Sequence, residues 1–189
     1  MSTETDHAAF VERYLKLGMK VYACEDVWSK TALSRPTRNA VTIEAGKQFK
    51  IGTLIIVPFD VYHINSDGSD CPNLGFLIYS SVTKEKMIWA TDASYIENRF
   101  PPLDYICIEC NYVDVEDYKS ELEFTNGFVE KRRVRSHLSL NRCVDFLKQQ
   151  DLSHVNEIRL LHLTESQGYI YNIIYNRMKQ EFPGVKFVI

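Results

Sequence analysis

The residues of this chain whose types and settings can do chemistry are four histidines, two aspartates and a glutamate. His63 follows the apolar run LIIVPFDV, Asp92 closes MIWAT, and His162 lies within LLHLT. Both Asp92 and His162 should be poorly hydrated there. An ionised carboxylate held out of water without a partner costs several kcal/mol, so the position calls for a metal ion or a histidine. His137, in SHLSL, adds a ring in a comparable setting, and the chain opens on TDH, where Asp6 and His7 stand directly before the first helix candidate and can both reach one ion. The chemistry in view is metal binding and acid/base catalysis. Each residue also has a plain use: Asp92 can cap the turn DASY, His162 can be a satisfied core histidine, and a terminal Asp-His pair is commonly solvated. Their joint occurrence weighs against those uses. His154, in the polar connection DLSHVNE, reads as a surface residue.

The elements that must position them can be read from periodicity and turn residues. The stretch from Leu54 to Thr91 supplies a strand that delivers His63, a polar loop, and then a hairpin: a strand over Leu74 to Tyr79, a polar turn over Ser80 to Lys86, and the returning MIWAT. The tight pairing of that hairpin fixes where Asp92 emerges. Before it, Phe10, Tyr14 and Leu17 at helical spacing predict a short helix ended by Gly18. Lys20 to Ala23 read as a brief strand leading into a helical turn at Asp26, Val27 and Trp28. LSRPTRN reads as a surface loop, and Val41 to Ile56 as strands of a sheet edge with Gly46 and Gly52 as turns. After it, DYICIEC predicts an internal strand, and the polar run that follows a surface helix or lid. Ser139 is placed to cap a helix whose Leu140, Cys143, Val144 and Leu147 share one face. EIRLLHL predicts a strand, Ile170, Ile173, Ile174 and Met178 the inner face of a helix ended by Gly184, and VKFVI a last strand. The middle is hairpin-rich and the second half alternates strand and helix, so the fold class is α+β.

The totals exclude several classes. At 189 residues and 22.0 kDa the chain can bury one substantial core, and positions 1–189 read as a single domain. No apolar run approaches the roughly 20 residues of a membrane-spanning helix, and MSTETDHAAF lacks the features of a signal peptide, so no membrane partner is expected and the default location is cytoplasmic. The formal net charge of -3 excludes a strong overall attraction to nucleic acid while permitting a local basic site, for which KRRVR is the dense candidate. An odd count of five cysteines points to reduced thiols packed as small hydrophobes. Cys107 and Cys110 have CxxC spacing, but on a strand alternation sends them to opposite faces.

Taken in order, TDHAAF, VYHINSDG, NLGFLIY, ATDAS, IECNYVD, SHLSL and LLHLT resemble the motif series of the metallo-beta-lactamase fold hydrolases, in particular the RNase Z-like and exonuclease-like phosphodiesterases. The resemblance runs along nearly the whole chain. It implies an αββα arrangement of mixed sheets flanked by helices, shortened at the N-terminus: the sheet that precedes the first motif in the family has no counterpart, and the family's first two metal histidines align with Ser2 and Glu4. The SHLSL match also departs from the family pattern, with Ser136 in place of glycine and Leu140 in place of asparagine.

The resemblance implies a metal-dependent phosphodiesterase or nuclease using zinc, one or two ions, or manganese, and a metal-activated water. Asp6, His7 and His162 would form one metal position and His63, with Glu4 as a further candidate, the other, with Asp92 bridging. Asp6 would also orient the water, and His137, outside the ligand set, would protonate the leaving oxygen or stabilise charge on the phosphorane. Glu109 would orient a histidine from behind, with Asn111 beside it, and Arg132, Arg133 or Arg135 would hold phosphate. The substrate would be single-stranded nucleic acid or a small nucleotide. The missing sheet would invite self-association or an upstream chain. The alternative is a degenerate member that keeps the fold as a binding or regulatory protein, or as half of a split enzyme.

Overall fold

The computed structural model describes residues 10–30, 38–64, 68–114, 136–163 and 168–189. Asp6 and His7, the basic run with Arg132, Arg133 and Arg135, and most of the expected lid lie outside the described residues.

The N-terminal part forms α1 (Val11–Lys16), β1 (Val21–Ala23), α2 (Glu25–Lys30) and β2 (Ala40–Thr42). Gly18, at φ 78°, ends α1 with its N–H on the Leu15 carbonyl while the Met19 N–H reaches the Tyr14 carbonyl, the paired closure that a left-handed residue permits. The buried face of α1 is Val11 and Leu15; Phe10, Tyr14 and Leu17 are exposed. The two sets share the helical period, so spacing alone selects the wrong one. β2 also departs from the sequence expectation, because it pairs in parallel with β1 as a separate two-stranded sheet.

Among the described residues the main sheet has seven strands in chain order: β3 (Phe49–Ile51), β4 (Leu54–Val61), β5 (Asn73–Ser80), β6 (Lys86–Ala90), β7 (Tyr105–Glu109), β8 (Glu157–Leu161) and β9 (Phe187–Val188). The first four are antiparallel neighbours, and β6 through β9 run parallel. Two helices, α3 (Leu140–Lys148) and α4 (Gly168–Glu181), share a core with one face of this sheet. The fold is α+β, a mixed sheet flanked by helices. Ile88, Ile106 and Ile158 stand in register across β6, β7 and β8, each fully buried, and meet Leu140, Val144, Leu147, Ile174 and Met178. At about 25 cal/mol per Å2 of apolar surface, each such side chain stabilises the fold by roughly 1.5–3 kcal/mol.

Particular residues set this packing. Gly75 lies opposite Phe59, and a Cβ there would run into the Phe59 ring. The absent side chain lets Phe59 lie against Phe100, at 4.8 Å between centroids, and Phe100 against Phe146 of α3 at 6.4 Å. The Ser139 hydroxyl caps α3 by accepting from the Arg142 N–H at 3.3 Å. Cys107 and Cys110 are buried on opposite faces, Cys110 within the core and against Cys143; the hydrogen bond with Cys143, and then burial, push the Cys110 thiol well above its ordinary pKa. Among the described residues no helix is long and apolar enough to cross a membrane.

Candidate metal centre

The register places one end of every central strand together: the C-terminal ends of β4, β6, β7 and β8 and the N-terminal end of β5. A sheet whose strands run parallel leaves ligand-binding positions beyond its carboxyl ends, where the chain turns off the sheet. His63 follows β4, Asp92 follows β6, Glu109 ends β7 and His162 follows β8. His137 arrives from the segment before α3, held there because the 111–112 backbone pairs with it: the Asn111 N–H donates to the Leu138 carbonyl and the Leu140 N–H to that of Tyr112.

Asp92, His137 and His162 each offer a ligand atom, and these atoms lie within 4.8 Å of one another. His63 joins the same row of rings, its centroid 5.5 Å from that of His137, which in turn lies 4.9 Å from His162. Asp92 and His63 are buried. His162 is not: its side chain keeps 35% of its exposure, against the sequence expectation of a core position. The strand ends in a bend at His162, which lifts the ring off the sheet toward water.

Behind the row stands Glu109, with no exposed surface. Its Oε1 accepts from His137 Nδ1 at 2.7 Å and from His162 Nδ1 at 2.8 Å, and its Oε2 accepts from the Ala93 N–H at 2.6 Å. Burial is the largest influence on this carboxyl and pushes its pKa up. The hydrogen bonds from the two histidines, the charge on His137 and the Ala93 N–H together outweigh burial, and the pKa falls below its ordinary 4.5. Glu109 is therefore ionised at neutral pH and can only accept, so both histidines carry their proton on Nδ1. His63 is pinned the same way, its Nδ1 donating at 2.7 Å to the Ser136 carbonyl, another group that can only accept. In the neutral state all three imidazoles then present the lone pair on Nε2, as metal-ligating histidines do when their other nitrogen is held from behind.

Backbone strain marks the same place. Asp92 has φ 52° and His162 φ 56°, left-handed values that cost an L residue roughly 1–2 kcal/mol. Such residues persist where the surroundings over-determine them, and they gather at functional sites. Asn73, the first residue of β5, donates to the carbonyls of Thr91 at 2.8 Å and Asp92 at 2.9 Å; Asn111 donates to the carbonyl of His162 at 2.6 Å. Sequence reasoning named Asn111 but missed Asn73, for which the one available signal was an amide side chain opening the apolar strand NLGFLIY.

The donor set, a carboxylate with imidazoles fixed at Nδ1, suits a divalent ion of the zinc or manganese type. The chain thus has the capacity to hold such an ion at Asp92, His137 and His162.

Comparison with solved structures shows that this chain has the metallo-beta-lactamase fold. It is similar to the metallo-beta-lactamase fold protein YhfI from Bacillus subtilis, at TM-score 0.64 and 15% identity over 97% of this chain and 69% of that one. It is similar also to Igni18, a metallo hydrolase from Ignicoccus hospitalis, at TM-score 0.57 and 12% identity over 98% of this chain and 72% of that one. Yeast PDE1 gives TM-score 0.53 and 14% identity over 78% of this chain and 48% of that one. No family model matches the sequence, and no curated protein matches it.

Proposed function

We propose that this chain is a metal-dependent hydrolase of phosphodiesters, of the RNase Z-like or exonuclease-like kind. The observation that carries the reading is the convergence of Asp92, His137 and His162 within 4.8 Å, with Glu109 fixing the tautomer of both rings. Of that cluster Asp92 and His162, with His63 from the end of β4, would hold the ion, while His137, equally able to ligate by position, would be left free to move a proton; Asp6 and His7 would add to the set. Bound there, a zinc ion would supply Lewis acidity, lowering the pKa of a water toward neutrality and drawing charge from a phosphate oxygen.

The protein's own groups supply the rest. Asp92 contributes the negative charge that retains a cation at a half-open strand end. Glu109 keeps His137 protonated on Nδ1 and stabilises its positive charge when Nε2 also gains a proton, so His137 can hold a proton at Nε2 and give it to the leaving oxygen. His162, partly exposed, stands where substrate and water have access. The small net charge favours a short single strand or a small nucleotide over long duplex DNA as substrate.

The test is metal content of the purified chain by elemental mass spectrometry, with hydrolysis of bis(p-nitrophenyl) phosphate, for the native chain and for Asp92→Ala, His162→Ala and His137→Ala. The expected result is about one metal ion or more per chain, lost together with hydrolysis in the Asp92 and His162 variants. His137→Ala is expected to keep its metal and lose turnover by about 100-fold or more, the scale of a lost general acid; loss of the metal instead would make His137 a ligand. A folded native chain with neither metal nor hydrolysis would sink the reading.

A further inference from the structure

The two left-handed residues of the site share a device. At the end of β6, Asp92 turns off the sheet at φ 52°, and at the end of β8, His162 does so at φ 56°. A residue that continued the strand would point its side chain alternately to the two sheet faces; the left-handed turn aims it beyond the strand end instead. The turn also takes the residue's carbonyl out of the ladder, and a buried carbonyl needs a donor. In both cases the donor is the carboxamide of a buried asparagine on, or just beyond, the neighbouring strand. Asn73, 5% exposed, opens β5 beside β6, and Asn111, 7% exposed, follows β7 beside β8. Asn73 donates to the Thr91 and Asp92 carbonyls and accepts the Leu74 N–H at 2.9 Å, so each of its polar atoms is engaged and its own position is fixed. Asn111 donates to the His162 carbonyl at 2.6 Å, and its own N–H is held by the Leu138 carbonyl.

We propose that Asn73 and Asn111 are positioning residues of the metal site, each holding the left-handed turn that aims one ligand, Asp92 or His162, beyond the sheet. The inference rests on the metal-centre reading of those two residues. Neither asparagine needs to touch the ion. Each acts through the backbone of the ligand next to it, so its removal should loosen the ligand's aim more than it loosens the fold. Hydrogen-bonding partners behind metal ligands are typically worth 10- to 100-fold in metal affinity, and the same scale is expected here.

The experiment is titration of the metal-free chain with Co2+, followed by its visible absorption bands, which report both affinity and ligand geometry. The variants are Asn73→Ala, Asn111→Ala, and the equal-sized Asn73→Asp and Asn111→Asp, which turn the donor toward each carbonyl into an acceptor. Ile174→Val, a core substitution in α4 far in sequence from either strand end, serves as a control that lowers stability without touching the asparagines. The expected result is Co2+ binding 10- to 100-fold weaker, with altered bands, in the asparagine variants, and native binding in Ile174→Val despite a lowered Tm. Asparagine variants that fold by circular dichroism and bind Co2+ with native affinity and bands would overturn the inference while leaving the metal site intact. A native chain that binds no Co2+ would remove the metal reading itself, and the inference with it.

Discussion

The two ends of the parallel half of the sheet treat charge in opposite ways. At the N-terminal ends of β6 to β8, Glu157 lies between Arg159, at 2.6 Å, and Lys186, at 2.6 Å, whose side chains are 57% and 67% exposed. The Asp104 carboxylate there accepts the Lys86 N–H, and the Tyr105 hydroxyl donates to Glu85. Glu157 at that end has opposite charges beside it, and Asp104 and Glu85 have hydrogen-bond donors. At the C-terminal ends, Asp92 and Glu109 are buried carboxylates, Glu109 accepts from two histidines, and two residues bend through left-handed φ. Stability alone explains the first end. Lys84, at φ 66° in the turn before β6, puts one left-handed residue at the first end too; the second end differs in joining two such residues to a buried carboxylate held by histidines, and that combination marks it as the candidate site.

The comparison breaks most visibly at Glu109. Glu109→Ala strands two imidazole N–H groups and the Ala93 N–H in a buried site, where each unmatched donor costs about 1–3 kcal/mol. We expect a loss of about 3 kcal/mol or more by urea denaturation, together with loss of bound metal. A variant as stable as the native chain would mean that the carboxylate holds nothing in place.

Strain at the same end predicts a smaller effect with a diagnostic sign. Asp92→Ala and Asp92→Gly both remove the ligand oxygens, but only glycine adopts φ 52° without penalty. Asp92→Gly should be the more stable of the two by about 1 kcal/mol, with neither binding metal. Equal stabilities would show that the bend relaxes freely.

How much of this the sequence discloses depends on the residue. His63, Asp92 and His162 are legible because a polar residue closing an apolar run is conspicuous, and the helix from Leu140 to Lys148 is legible because its cap and its period agree. The face of α1 is not, since Phe10, Tyr14 and Leu17 fit the helical period as well as Val11 and Leu15 do and only tertiary packing chooses between them. Three-residue strands such as β1 and β2 are too short for alternation to say which sheet they join. The left-handed turns are illegible too: Asp and His adopt that region somewhat more often than most residues, but neither signals it. Asn73 escapes for a related reason, because its partners are carbonyls 18 and 19 residues away and leave no local pattern.

The pH dependence sharpens the contrast further. Glu109 has a folded pKa below the ordinary 4.5, so the stability it contributes is fully present above the unfolded value and is lost as pH falls through the folded one. Acid titration of the metal-free chain should therefore show a steepening below about pH 4.5 that Glu109→Gln abolishes. Persistence of the full slope in that variant would assign it to other carboxylates.

The smallest effect belongs to the other end of the sheet. Glu157 also has a lowered pKa, through hydrogen bonds from Lys186 first and Arg159 second, yet both cations lie open to water, where screening removes most of what an ion pair contributes. Lys186→Ala should move Tm by no more than about 2 °C and leave metal content unchanged. A similar depression of a carboxylate pKa thus carries different consequences at the two ends: at Glu109 it reports two imidazoles committed to one oxygen, and at Glu157, itself 8% exposed, two cations that reach it from open water. Metal loss in Lys186→Ala would mean that the two ends are coupled through β8 and that the contrast between them is one of degree.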